Sequence, residues 1–178
     1  MIKATVEHEN DLRQYAGPAG AGWICDHCRA QIRTAGDGWL QWISVPGDPG
    51  SHKMRDLSLV HHLPASPRKE NHNHGCQFDE QLEYRKDGGI VEDLGLEHFC
   101  GPNGLMHLLT MVAEHPSSTK EILAMIQRIH IPGYERARLH AQRAISEGVF
   151  EPNLPSGFYW QSDIRAILDW AEKQQESE

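Results

Sequence analysis

The chain of 178 residues has no run of eighteen apolar residues, and its first fifteen, MIKATVEHENDLRQY, carry no apolar leader. A membrane-spanning helix needs roughly 20 such residues, so the expectation is a cytoplasmic protein with no part in the membrane. Basic charge is also short. Ten Lys and Arg stand against fourteen Asp and Glu before Leu96, and seven against eleven from there on, for a formal charge of -8. Neither half has the composition of an electrostatic platform for nucleic acid, although a local basic face can still act within an acidic molecule. Cysteine is limited to Cys25, Cys28, Cys76 and Cys100. A chain of this length buries a core without disulfide staples, and in a reducing compartment metal binding or plain burial is the expected use of such thiols. Internal repeats and long low-complexity segments are lacking too, the stretch from Ser66 to Gly75 being the nearest to a flexible loop.

Histidine is the surplus. Its twelve residues scatter from His8 to His140, with close pairs at His61-His62 and His72/His74. The apolar pattern changes near residue 95. Before it, GWLQWISV (38–45) and LSLVHH (57–62) are short, aromatic or branched, and bounded by PGDPG and by the polar PASPRKENHNHG, as strands are. After it the period is helical. Met106, Leu109 and Ala113 share one face. A second helix starts at Ser118, whose spacing to Glu121 is that of a capping box, carries Ile122, Met125, Ile126 and Ile129, and stops at Pro132-Gly133. A third is expected from about Tyr134 to Glu147, closed by Gly148. The fourth runs from Ser162 to about Lys173, with Ile164, Ile167, Leu168 and Ala171 facing the core. The expected architecture is α+β: a metal-stapled antiparallel β unit over residues 1–95, followed by a helical region over 96–178.

The stretch GWICDHCRAQIRTAGDGWLQW holds the chemistry. A Cys-x-x-Cys turn presents two thiolates to one tetrahedral ion, while its backbone amides point at the sulfurs. A redox couple of this spacing sits instead between a parallel strand and a long helix, and Thr34-Ala-Gly-Asp-Gly38 forbids that helix. The remaining ligands are sought in LVHH and at Cys76. Strand alternation sends His61 and His62 to opposite faces, so one ligates while the other is left out. The expected set is Cys25, Cys28, His62 and Cys76, with His61 or Cys100 as alternatives for the fourth position. EHFCGPNG opens a helix, which makes Cys100 read as a small buried cap residue, and no orienting group supports a His98-Cys100 nucleophile pair.

The knuckle resembles those of zinc ribbons and related zinc-knuckle modules, over roughly residues 20–80, and the whole chain is similar to small bacterial proteins that place such a knuckle ahead of a helical tail, a likeness that implies no activity. The knuckle resemblance implies a structural Zn2+ with four protein ligands and no position for substrate. A partial resemblance to the HNH nuclease motif lies in LSLVHHLP followed by Asn71 and Asn73. It implies His62 as the base, Asn71 or Asn73 as its orienting residue, and His72 or His74 on a catalytic metal. The departures are that CQFDEQLEYRKDGG has no histidine for the motif's helix and that a second Cys-x-x-Cys is missing. In the helical half, Arg136, His140 and Arg143 recur at spacings of four and three after a Pro-Gly turn. Such a face suits either a DNA-reading helix-turn-helix or an ordinary αα-hairpin with solvated charge, which Glu135 and Glu147 favour. The functional expectation is a zinc-stabilised, non-enzymatic binding protein that engages a protein partner. The alternatives are a metal-dependent HNH-like nuclease and a helix-turn-helix DNA-binding protein.

Overall fold

The computed structural model describes residues 22–47, 51–68 and 73–176. Its architecture is α+β. Strands β1 (Trp23–Ile24) and β2 (Gln31–Ile32) form an antiparallel ribbon in register Trp23↔Ile32 and Ile24↔Gln31. The turn between them carries Cys25 and Cys28. A second, three-stranded antiparallel sheet has the order β4-β3-β5, with β3 (Gly38–Pro46) central between β4 (His52–His61) and β5 (Ile90–Gly95). The β3/β4 register shifts between Gln41 and Ile43, then runs to its end at Gly38↔His61.

Strand β4 starts five residues before the apolar LSLVHH segment, because Met54 within the charged HKMRD stretch is buried and its neighbours pair with β3. Strand β5 was not apparent in the apolar pattern. It is an edge strand whose Glu92 and Asp93 face water or a single polar partner, so it carries little hydrophobic signal. Helix α1 (Glu80–Asp87) connects to it. It is capped by Asp79, whose side chain accepts from the Leu82 amide at 3.0 Å, and it is closed by Gly88 at a φ of 73°.

Helix α2 (Gly101–Glu114) has Cys100 as its N-cap and buries Gly101, Gly104, Leu108 and Met111. The expected face of Met106, Leu109 and Ala113 is the outer one, with Met106 62% and Leu109 45% exposed. Glycine decides this rotation. A Cβ on Gly104 would stand 2.0 Å from the carbonyl carbon of Phe99, so only this bare face comes so near that backbone. Helix α3 (Thr119–His130) starts at Ser118 as expected, but no capping box forms. The Ser118 hydroxyl donates to the Met54 carbonyl at 2.7 Å, pinning the helix to β4. Beyond the Pro132-Gly133 turn the expected single helix is two pieces, α4 (Tyr134–Ala137) and α5 (Ala141–Ser146). Between them Leu139 and His140 donate to carbonyls three residues back, and the tighter turn brings Ala137, Ala141 and Ala144 onto one buried face. Helix α6 (Gln161–Gln175) packs Ile164 and Ile167 against them.

The main core spans residue 95: Leu40, Leu59, Leu96 and Phe99 meet Leu108, Ile122 and Ile129, while a second cluster joins Tyr134 and Ala144 to Ile167. Tyr159 closes that second cluster, with Phe158 and Trp160 left on its exposed rim. Among the described residues no helix is long and apolar enough to cross a membrane.

Candidate metal centre

Folding brings the β1-β2 turn against the end of β4 and the loop before α1. There, donor atoms of Cys25, Cys28, His61 and Cys76 all lie within 4.8 Å of one another. The turn is built by local hydrogen bonds: the Cys25 amide donates to Ala30 O at 2.9 Å and the Arg29 amide to Cys25 O at 3.0 Å. Arg29 takes a left-handed φ of 65° to close it. Backbone amides of Cys28, His61 and His27 point at the Cys25 sulfur. The turn is fastened to the large sheet where the Asp26 amide donates to Leu59 O and the Leu59 amide donates to the Asp26 carboxylate, both at 2.8 Å.

His61 is held for one role. Its Nε2–H donates to the Gln31 carbonyl at 3.1 Å, which leaves the Nδ1 lone pair facing Cys28 Sγ at 3.5 Å. A tetrahedral zinc ion, with bonds of about 2.3 Å to sulfur and about 2.0 Å to nitrogen, sets neighbouring donors about 3.5–3.8 Å apart. The Cys28–His61 separation of 3.5 Å matches that value, and a set of three thiols and one imidazole is one that zinc takes. Cys76 arrives from the far loop, braced by the His27 ring, which donates to its carbonyl from Nδ1 at 2.6 Å. The Ser66 hydroxyl donates to Cys76 Sγ at 3.2 Å. Gly75 allows that approach, since it combines a φ of 59° with Ser66 Oγ only 2.7 Å from where a Cβ would stand.

Burial is the leading influence on two of the thiols. It pushes the Cys25 thiol up against the pull of the backbone amides. It raises Cys76 to about 12, opposed by the Ser66 hydroxyl and helped by the neighbouring Cys25 and Cys28 sulfurs. Three thiols crowded this way are poorly served as free anions, and a divalent cation offsets their mutual repulsion.

No family pattern, curated protein sequence or solved structure matches the chain.

In the geometry of the cluster His61, and not the expected His62, stands beside the three thiols. His62 is not in the cluster. It follows the last β4 residue, donates its amide to Asp37 O at 2.8 Å, and stacks its ring on Trp39 with centroids 4.5 Å apart. Alternation does separate the two histidines, as the sequence predicts, but it is His61, the last paired residue of the strand, that turns toward the thiols. Cys100 also lies elsewhere. It is buried as the N-cap of α2, donates its thiol to Leu96 O at 3.3 Å, and is pushed up to about 12 by burial and then by Glu97, so it stays protonated near neutrality.

Of the HNH-like residues, Asn71 and His72 lie outside the described residues, Asn73 and His74 lie in the turn before Cys76, and α1, the helix that follows, contains no histidine. In the helical half, Arg136 pairs with Glu172 at 3.3 Å. Arg143 pairs with Glu147 at 2.9 Å and lies over the Trp170 ring. His140 sits in the turn that interrupts the expected helix, so these three side chains do not extend from one continuous helix.

A buried charge network adjoins the metal turn. Arg128, 7% exposed, donates to Asp26 at 2.7 Å, to Glu135 at 2.9 and 3.1 Å, and to Ile24 O at 2.8 Å. Burial opposes its charge, but Glu135 and Asp26 more than compensate and hold its pKa above the ordinary value. Glu135 is correspondingly low: burial raises it, and Arg138 and Arg128 outweigh that. The sequence carried one sign of this network, a charged Arg128 on the stripe formed by Ile122, Met125 and Ile129.

Proposed function

We propose that Cys25, Cys28, His61 and Cys76 hold one structural Zn2+, and that the protein acts by binding, without catalysis, through a protein partner. The observation that carries the metal reading is the His61 ring, whose hydrogen bond to Gln31 O directs the free nitrogen at Cys28 Sγ. Four protein donors satisfy a tetrahedral zinc ion completely, which leaves no open coordination position on it for a substrate or water. A site of that kind supplies folding energy, because a preformed set of ligands does not exist in the unfolded chain.

A protein partner is favoured over nucleic acid by the formal charge of -8 and by the intramolecular ion pairs of Arg136 and Arg143. The apolar side chains of Met106 and Leu109 on the outer face of α2 agree with that choice. The deciding experiment is metal analysis with X-ray absorption on protein purified without chelator. One zinc per chain with three sulfur and one nitrogen neighbours is expected. Oxygen neighbours with an exchangeable water would instead favour hydrolytic chemistry and overturn the structural reading.

A further inference from the structure

We infer that Arg128 is a positioning residue for the metal turn, and that through it the α3-α4 pair and the metal site form one thermodynamically linked unit. The inference rests on the zinc reading given above and adds to it a residue that touches no ligand atom.

The connections converge on the two residues that flank Cys25. Asp26, between the knuckle cysteines, has one carboxylate oxygen that accepts both the Leu59 amide at 2.8 Å and Arg128 Nη1 at 2.7 Å. Ile24, just before Cys25, has its carbonyl taken by Arg128 Nη2 at 2.8 Å and its amide taken by Glu135 Oε1 at 2.9 Å. Glu135 is fixed in turn by Arg138, at 2.6 and 2.8 Å. Side chains of α3 and α4 therefore serve the outer edge of β1 as a neighbouring strand would. A ribbon of two residues on each side is too short to hold its shape alone.

A turn already held in its closed form receives a metal without first being ordered, so whatever holds it raises metal affinity. Linkage makes the effect mutual. If the Arg128 network favours zinc by some factor, zinc must favour the docked α3-α4 pair by the same factor. A buried ion pair serving only global stability predicts unchanged zinc affinity in variants that remain folded.

Two variants of the full-length protein separate these cases. Asp26→Asn keeps an acceptor for the Leu59 amide and removes the charge that faces Arg128. The double variant Arg128→Met with Glu135→Gln removes the buried ions together, so neither is stranded. Zinc affinity is read by competition with a chromophoric chelator, and backbone hydrogen exchange over residues 119–138 is read with and without zinc. The expected result is zinc binding about tenfold weaker in each variant. The protection that zinc confers on 119–138 in the unmodified protein should shrink by a similar factor. Unchanged zinc affinity in folded variants, or no response of 119–138 to zinc in the unmodified protein, overturns the coupling while leaving the metal site standing. An unmodified protein that binds no zinc overturns the metal reading and the coupling with it.

Discussion

Nδ1 of His61 faces Sγ of Cys28 at 3.5 Å, because the other nitrogen of the ring is committed to the Gln31 carbonyl. The ligand ranking follows from this pair. His61→Ala, Cys25→Ser, Cys28→Ser and Cys76→Ser should each lose zinc and loosen the region around the β1-β2 ribbon, since metal-binding energy is folding energy there. His62→Ala should retain zinc, losing only the stack on Trp39. Cys100→Ser should also retain it, at a cost of about 1 kcal/mol for the altered bond to Leu96 O. Metal content of the purified variants checks the order, and loss of zinc from His62→Ala with retention in His61→Ala would reverse the assignment.

The buried network predicts an acid limb of stability. The folded-state pKa of Glu135 is depressed below its ordinary 4.5, burial being outweighed by Arg138 and Arg128. A depressed carboxyl contributes stability that is fully present above the unfolded-state value and is lost as pH falls through the folded one. The difference between the unmodified protein and Glu135→Gln should thus be constant near neutrality, at about 3 kcal/mol, and should shrink once pH drops below the ordinary carboxylate range. Denaturant titrations of both proteins across that window measure it. A difference that stays constant into strong acid would mean that Glu135 is not ionised in the fold.

Gly104→Ala tests what sets the rotation of α2. The new methyl would meet the carbonyl carbon of Phe99 at 2.0 Å, and backbone cannot swing aside as a side chain can. A loss of about 3 kcal/mol is expected, seen as a thermal midpoint lower by about 6 °C or more. A neutral effect would show that α2 can turn or shift at little cost.

The basic residues of the helical half give a prediction about partners. Arg136 and Arg143 are engaged by Glu172 and Glu147. Replacing Arg136, His140 and Arg143 together by alanine should leave the fold intact, costing about 1 kcal/mol in all. The unmodified protein should show no submicromolar affinity for duplex DNA at physiological salt. Tight binding that the triple variant abolishes, with a salt dependence that the variant flattens, would put nucleic acid ahead of a protein partner.

What the sequence determined by itself is what depends on neighbours a few positions away. The Cys25-x-x-Cys28 turn, the stop at Pro132-Gly133 and the buried stripes of α3 and α6 follow from turn hydrogen bonds and a 3.6-residue period, and each is found where the pattern puts it. Cys76 was legible as a candidate, but a single cysteine carries no information about its distance from the knuckle. Tertiary structure decided the rest. The register Gly38↔His61 and the stack of His62 on Trp39 chose between adjacent histidines that alternation alone cannot rank. A bare glycine, invisible to a hydrophobic pattern, turned α2 so that Met106 and Leu109 face outward. Arg128 found Asp26 across 102 positions, in a pairing that only the packing of α3 against the metal turn could bring about. Strand register and the pairing of buried charges are set by surfaces that meet after the chain has folded, and for that reason no local stretch of this sequence contains them.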